Sequence, residues 1–163
     1  MAEENQTPET AGQGAAQADQ PRFSVMKLFI KDVSFESPSS PEIFQNQGEP
    51  DLKLNLNQRV KSLEDNNYEV ILTVTVTCKV GDQTAYLAEV QQGGLFSIVG
   101  FEPEQAQATL GSYCPAILFP YARQQISDLV LHGGFQPLLL QPVNFDQLYA
   151  EQIRRQQAEA GAS

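Results

Sequence analysis

Few side chains in this 163-residue sequence are equipped for covalent or acid–base chemistry: one histidine, His132, two cysteines, Cys78 and Cys114, and twenty carboxylates. Nucleophilic catalysis needs a base oriented beside a hydroxyl or thiol, and with one histidine no spacing singles out such a pair. His132 stands just before Gly133-Gly134, where a cation would meet the negative pole of a helix dipole, so it reads as a helix-terminal residue. The cysteines share no CxxC spacing and sit among apolar neighbours, which makes them buried thiols rather than a disulfide or a metal site. Neither GxxxxGKS/T nor GxGxxG occurs, so no phosphate cradle is visible. The carboxylates fall on alternate strand positions near turns, as on a solvated face. No catalytic residue, metal or cofactor is assigned.

Composition narrows the classes further. A formal charge of −10 and a pI near 4.4 disfavour nucleic acid, which needs clustered Lys and Arg, and an anionic membrane surface. The N-terminus has no basic patch followed by an apolar run, and nothing approaches the ~18 continuous apolar residues of a membrane span. A cytoplasmic protein without direct membrane insertion is expected. At 41% hydrophobic residues the chain supports one domain with a real core.

The elements that must position these groups follow from periodicity. Residues 1–22 hold no Val, Ile, Leu or aromatic residue and are predicted to be a disordered tail. A first strand runs over 26–36, with Phe29, Val33 and Phe35 on one face and Asp32, Ser34 and Glu36 on the other. Residues 37–50 are a long Pro- and Ser-rich loop whose Ile43-Phe44 pair implies that it lies across an apolar surface. A second strand alternates Leu52, Leu54 and Leu56 with polar residues. In the third, Tyr68, Val70, Leu72, Val74, Val76, Cys78 and Val80 take every even position. Pairing its apolar positions with those of the fourth strand (Tyr86, Ala88, Val90, Gln92) requires a three-residue loop after Val80, and Gly93-Gly94 ends or bulges that strand. Short links between strands two, three and four and a long one before them predict a Greek key in the order 1-4-3-2.

A helical stretch over 103–132 covers the sheet. It carries prolines at 115 and 120, and a break is expected near Ser112 to Pro115. Its middle is apolar almost all round, so a single sheet cannot cover it, and self-association is implied. Gly133-Gly134 closes it in a left-handed cap. The last helix opens on Asn144 as N-cap with Gln147 three residues on, buries Phe145, Leu148, Tyr149 and Ile153, and frays into a disordered tail over 156–163. The domain thus spans 23–155. Each surplus aromatic is either core, subunit contact or part of an exposed groove.

The runs FIKDVSFE, YEVILTVTVTCKVGDQTAYLAEVQQGGLFSIVG, LGSYCPAILFPYAR and LQPVNFDQLY, spanning about Phe29 to Tyr149, closely resemble the SecB family, the bacterial chaperones of protein export. The resemblance implies an α+β fold with a four-stranded antiparallel Greek-key sheet and helices packed on one face. It further implies a homotetramer, a dimer of dimers, that binds unfolded precursor proteins without ATP and delivers them to SecA. At positions matching the family's SecA contact stand Asp32, Glu36, Leu87 and Glu89. Phe44, Leu54, Leu56, Phe135, Leu148 and Tyr149 are the expected lining of a substrate groove, and Ala88, Val90, Gln92 and Cys114 the expected oligomer interface. The alternatives are a SecB-like chaperone of a toxin–antitoxin system, a structural oligomer without substrate, and an enzyme with an unrecognised carboxylate site.

Overall fold

The strict alternation of Asn67–Val80 builds the central strand of the sheet. In the computed structural model, which describes residues 20–162, the strands are β1 (Arg22–Glu36), β2 (Pro50–Ser62), β3 (Asn67–Val80) and β4 (Gln83–Val99). All neighbours are antiparallel, in the order β1-β4-β3-β2. The predicted tail over 1–22 falls largely outside the described residues, and Arg22 already belongs to β1. Val70, Leu72, Val74, Val76 and Cys78 are buried and face the helices together with their β4 partners Gly94, Gln92, Val90, Ala88 and Tyr86. The β2–β3 turn, closed by the Asn67 N–H on the Glu64 carbonyl at 3.2 Å, has positive φ at both Asp65 and Asn66 (59° and 60°), the left-handed pair that matches the twist of the flanking strands.

The register around the second hairpin differs from expectation. Val80 pairs with Gln83 across a two-residue Gly81-Asp82 turn, and Ala85 is then left over as a bulge, so that Cys78 still meets Tyr86. The bulge performs the face correction that a third loop residue would have made. Bulges also intervene in β1, at Met26 and Lys31. The second reverses the alternation: Ile30, opposite Gln92, shares the helix-side face with Val33 and Phe35, whereas Phe29, opposite Gly93, lies on the outer face. Gly93-Gly94 neither ends nor bulges β4. A Cβ at Gly93 would stand 2.4 Å from the Phe29 ring and one at Gly94 2.5 Å from the Phe96 ring, so the strand runs through with an aromatic laid over each face.

No break occurs near Pro115 either. The helix α1 (Pro103–Ala108) passes through a π turn (Thr109–Tyr113) directly into α2 (Cys114–His132), with Pro120 inside the latter. The Cys114 N–H donates to the Thr109 carbonyl five residues back, and this wider turn takes up the proline's ring and missing donor without interrupting the axis. Cys114, Leu118, Ala122, Ile126 and Val130 form the stripe that seals the core over β3 and β4. At the C-terminus of α2, Gly134 has φ +90°, and the Phe135 N–H reaches the Val130 carbonyl, a left-handed cap as expected.

The last helix, α3 (Phe145–Gly161), starts with Asn144 accepting from the Gln147 N–H at 3.1 Å. It continues to Gly161, past the point near Gln156 where fraying into a tail was expected, because the Ala-, Glu- and Gln-rich end carries helix-favouring residues. It docks on the π turn: Asp146 accepts a hydrogen bond from the buried Ser112 hydroxyl, and the Tyr149 ring lies over Gly111, where a Cβ would stand 2.5 Å from it. Gly111→Val should therefore push α3 off its seat at a cost of about 1–3 kcal/mol. The check is urea unfolding, with a lower midpoint expected; an unchanged midpoint would show that α3 does not rest there.

Candidate functional site

A single helix of ~10–12 Å diameter cannot cover four strands spaced ~4.8 Å apart. Since α2 sits over the two central strands, the helix-facing sides of both edge strands are left uncovered. On β2 these are Leu52, Leu54 and Val60, and on β1 Val25, Ile30 and Val33, all exposed. The sheet therefore carries apolar ground on two flanks, and its opposite, outer face is polar.

The β2 flank holds two clefts in line. One, of about 500 Å³, is lined by Ile43, Phe44, Leu52, Cys78, Tyr86 and Phe135, among others. It is walled by aromatic rings in series: Phe44 is 5.2 Å from Phe135, and Phe135 is 4.9 Å from Tyr86. The long loop makes a four-residue 3-10 turn here (Glu42–Gln45), plugging Ile43 into the core and leaving Phe44 half exposed. The second cleft, of about 320 Å³, is lined by Leu56, Leu72, Gly111, Phe145, Leu148, Tyr149 and Arg155, with three polar neighbours. Leu54 lines neither but stands between Leu52 and Leu56 on the same face of β2. Of the expected groove residues, then, Phe44 and Phe135 meet in one cleft and Leu56, Leu148 and Tyr149 in the other. Leu148, expected to be buried, is exposed. Sequence reasoning missed Leu52, although its place in the Leu52-Leu54-Leu56 alternation was the signal that could have found it.

At the floor of the first cleft Cys78 and Tyr86 are cross-strand partners. Burial raises the Cys78 thiol, its hydrogen bond with Tyr86 partly opposes this, and the Asp51 charge adds to the rise. Burial first, and then Cys78, raises the Tyr86 phenol. Burial also pushes Cys114 up to about 12. The thiolate is the nucleophile in cysteine chemistry, so at neutral pH the floor is an uncharged wall suited to apolar side chains. Among the described residues no group of three or more His, Cys, Asp and Glu is placed to hold a metal.

The β1 flank does not expose the expected interface residues. Ala88, Val90, Gln92 and Cys114 are buried within the chain itself, at 0–3% exposure. They fill the layer between sheet and α2, and Gln92 donates to the Phe29 carbonyl at 3.0 Å. Their side chains are not exposed on the single chain. What is open on this side is Val25, Ile30 and Val33 of β1 with Tyr113 and Tyr121 of the helical segment. A cleft of about 430 Å³ between Leu28, Phe29, Ile30 and Pro120, Tyr121 lies among them.

On the outer face the structure brings Asp32, Glu36, Leu87 and Glu89 together. Asp32 is opposite Gln91, Ser34 opposite Glu89 and Glu36 opposite Leu87 on adjacent strands, so all of them point away from the helices. Thr75 on β3 donates to Glu89 at 2.9 Å, orienting its carboxylate. Asp32 and Glu36 are exposed, and Leu87 and Glu89 are half-buried. The patch is acidic with an apolar, partly sunken centre.

The family model for "Preprotein translocase subunit SecB" matches residues 16–156. The protein-export protein SecB of Stenotrophomonas maltophilia (strain K279a) is 54% identical over 142 residues, covering 87% of this chain and 83% of the relative. That of Hahella chejuensis is 50% identical over 143 residues, covering 88% and 90%. Among solved structures, the Mycobacterium tuberculosis Rv1957 SecB-like chaperone, in complex with a ChAD peptide from the Rv1956 HigA1 antitoxin, superposes with a TM-score of 0.63 at 16% identity. It covers 75% of this chain and 91% of its own, and shows the shared fold.

Proposed function

Since the chain belongs to the SecB family and is a chaperone of protein export, we propose that it works without nucleotide, as a cytoplasmic homotetramer. In this reading the β2 flank holds unfolded precursors and the acidic outer face docks SecA. The observation that carries it is the apolar row of Leu52 and Leu54, both exposed, and the half-buried Leu56, running between the aromatic cleft and the cleft under α3. A folded protein hides its apolar runs, whereas an unfolded chain can lay successive side chains along such a row. Binding the unfolded state alone lowers its free concentration and competes with folding by mass action, so no energy source is needed. Linked weak sites on several subunits raise avidity by roughly 10²–10⁴ over one site. No catalysis forms part of this function.

The β1 flank is the proposed subunit contact. Each chain carries −10, so copies repel one another, and contact through Ile30, Val33 and Tyr121 supplies the apolar surface needed to offset that repulsion. The acidic patch suits a basic segment of SecA, with association that weakens as salt rises. Glu89→Lys should lower SecA affinity roughly tenfold while leaving the binding of unfolded chains intact; a parallel loss of both, or of neither, would show that the dock lies elsewhere. The function as a whole is tested by mixing the protein with a slowly folding chain diluted from denaturant, nucleotide absent. A stable complex on gel filtration is expected, and free passage of both species would overturn the reading.

A further inference from the structure

The outer face does not end at the acidic patch. Farther along the same strands Lys27 stands opposite Leu95, Glu69 opposite both Leu95 and Lys61, and Arg59 opposite Ile71. The bulged Lys31 reaches into this group and pairs with both Glu69 oxygens at 3.2 Å, the one ion pair among the described residues. Four cations thus surround one carboxylate that is already engaged, around the Phe29 ring laid over Gly93 and Ile71. Lys31, Arg59, Lys61 and Glu69 line a shallow cleft of about 350 Å³. In a chain with twice as many acidic as basic residues, four of its ten cations share this end of one face; at the other end Lys53 and Lys79 stand on β2 and β3, whereas Asp32, Glu36 and Glu89 are on β1 and β4.

We propose that the outer face is a two-signed dock: the acidic end takes a basic segment of the partner and the Lys27, Arg59 and Lys61 end takes an acidic segment of the same partner. The partner then lies along the strands in one direction only. This rests on the outer face being the SecA dock. Glu89 and Leu95, at the centres of the two ends, are six residues apart on β4, about 20 Å. That exceeds the ~8 Å Debye length at physiological salt, so each end is read separately. A flat anionic surface such as a membrane would have to lie over both ends and be repelled by one. A segment carrying both signs fits the whole face, and reversing it places like charges together at both ends, which costs affinity.

The test titrates purified SecA against the wild-type tetramer, Glu89→Lys, Arg59→Glu/Lys61→Glu and Arg59→Lys. The double reversal is expected to weaken SecA binding about tenfold or more, with Arg59→Lys near wild type and the binding of unfolded chains unchanged. Arg59 and Lys61 are exposed, so the fold should survive, and an unaltered thermal unfolding curve checks this. If Glu89→Lys weakens SecA binding and the double reversal does not, the two-signed dock is overturned and the acidic dock stands. If neither variant matters, the outer face is not the dock and both fall. Loss of binding to phosphatidylglycerol vesicles, or of low-salt self-association, with SecA affinity unchanged would assign the basic end to lipid or to a second copy and overturn the inference.

Discussion

Replacing Phe44, Leu52 and Leu54 together by serine should weaken the hold on an unfolded chain by about two orders of magnitude and leave the subunit folded. All three are between 42% and 51% exposed in the free chain, so folding already covers about half of each side chain and the rest is available to a bound segment. Fully burying such a side chain is worth about 1.5–3 kcal/mol. Roughly half of that for each of three positions approaches 3 kcal/mol, or ~10²-fold in affinity. The measurement is fluorescence titration of an unfolded, labelled chain, with circular dichroism to confirm the fold. Affinity within a factor of two or three of wild type would remove the β2 flank from substrate binding. Tyr149 is a poorer probe, because its ring also seats α3 on Gly111.

The second large effect concerns assembly. Ile30→Glu with Tyr121→Glu should convert the proposed assembly of four 18.0 kDa chains into species of one or two chains. Both positions are about half exposed in the single chain and line the cleft between β1 and α2. A carboxylate there is tolerated by a free subunit in water but must be desolvated without a partner in a closed contact, at a cost of several kcal/mol. Sedimentation at moderate salt reads the result, and an unchanged assembly would place the contact elsewhere. Charge at Val90 or Cys114 would report something different. Both are wholly buried between the sheet and the helical segment, so such variants would lose the fold before they informed on the interface.

Much of this architecture was legible because one residue type at every second position has a single physical outcome. The even positions of β3 face the core, the short links force neighbouring strands, and the order 1-4-3-2 follows. The resemblance singled out Asp32, Glu36, Leu87 and Glu89, and that they share a face was legible for the same reason: they keep their parity, since no bulge falls within Asp32 to Glu36 or Leu87 to Glu89. Where a bulge intervenes, parity fails. Lys31 exchanges Phe29 for Ile30 on the helix side, and Ala85 replaces the expected third loop residue. A bulge adds one residue with no compositional mark, and only pairing with a neighbour reveals it.

The helical segment misled in a related way. Pro115 predicted a break because a missing donor is local information, whereas the π turn that accommodates it is stabilised by α3 docking from far along the chain. The apolar girth of the helical segment exceeds what one sheet face covers, and Tyr113, Tyr121 and Leu131 remain exposed on the single chain. Which apolar residues were surface was not legible, because burial depends on how many strands one helix can span. That geometry puts Val90 and Cys114 in the core and leaves Leu52 and Ile30 outside it.

The central claim is passive holding of unfolded chains, and the refolding of a slowly folding precursor protein tests it most directly. The precursor is diluted from denaturant into buffer with excess chaperone and no nucleotide, and its native signal is followed in time. Refolding should be slowed in proportion to the chaperone present, the slowing should survive Asp32→Ala on the outer face, and it should fade with Phe44→Ser/Leu52→Ser/Leu54→Ser. Refolding at the unassisted rate under excess chaperone, or slowing that appears only when ATP is added, would contradict it.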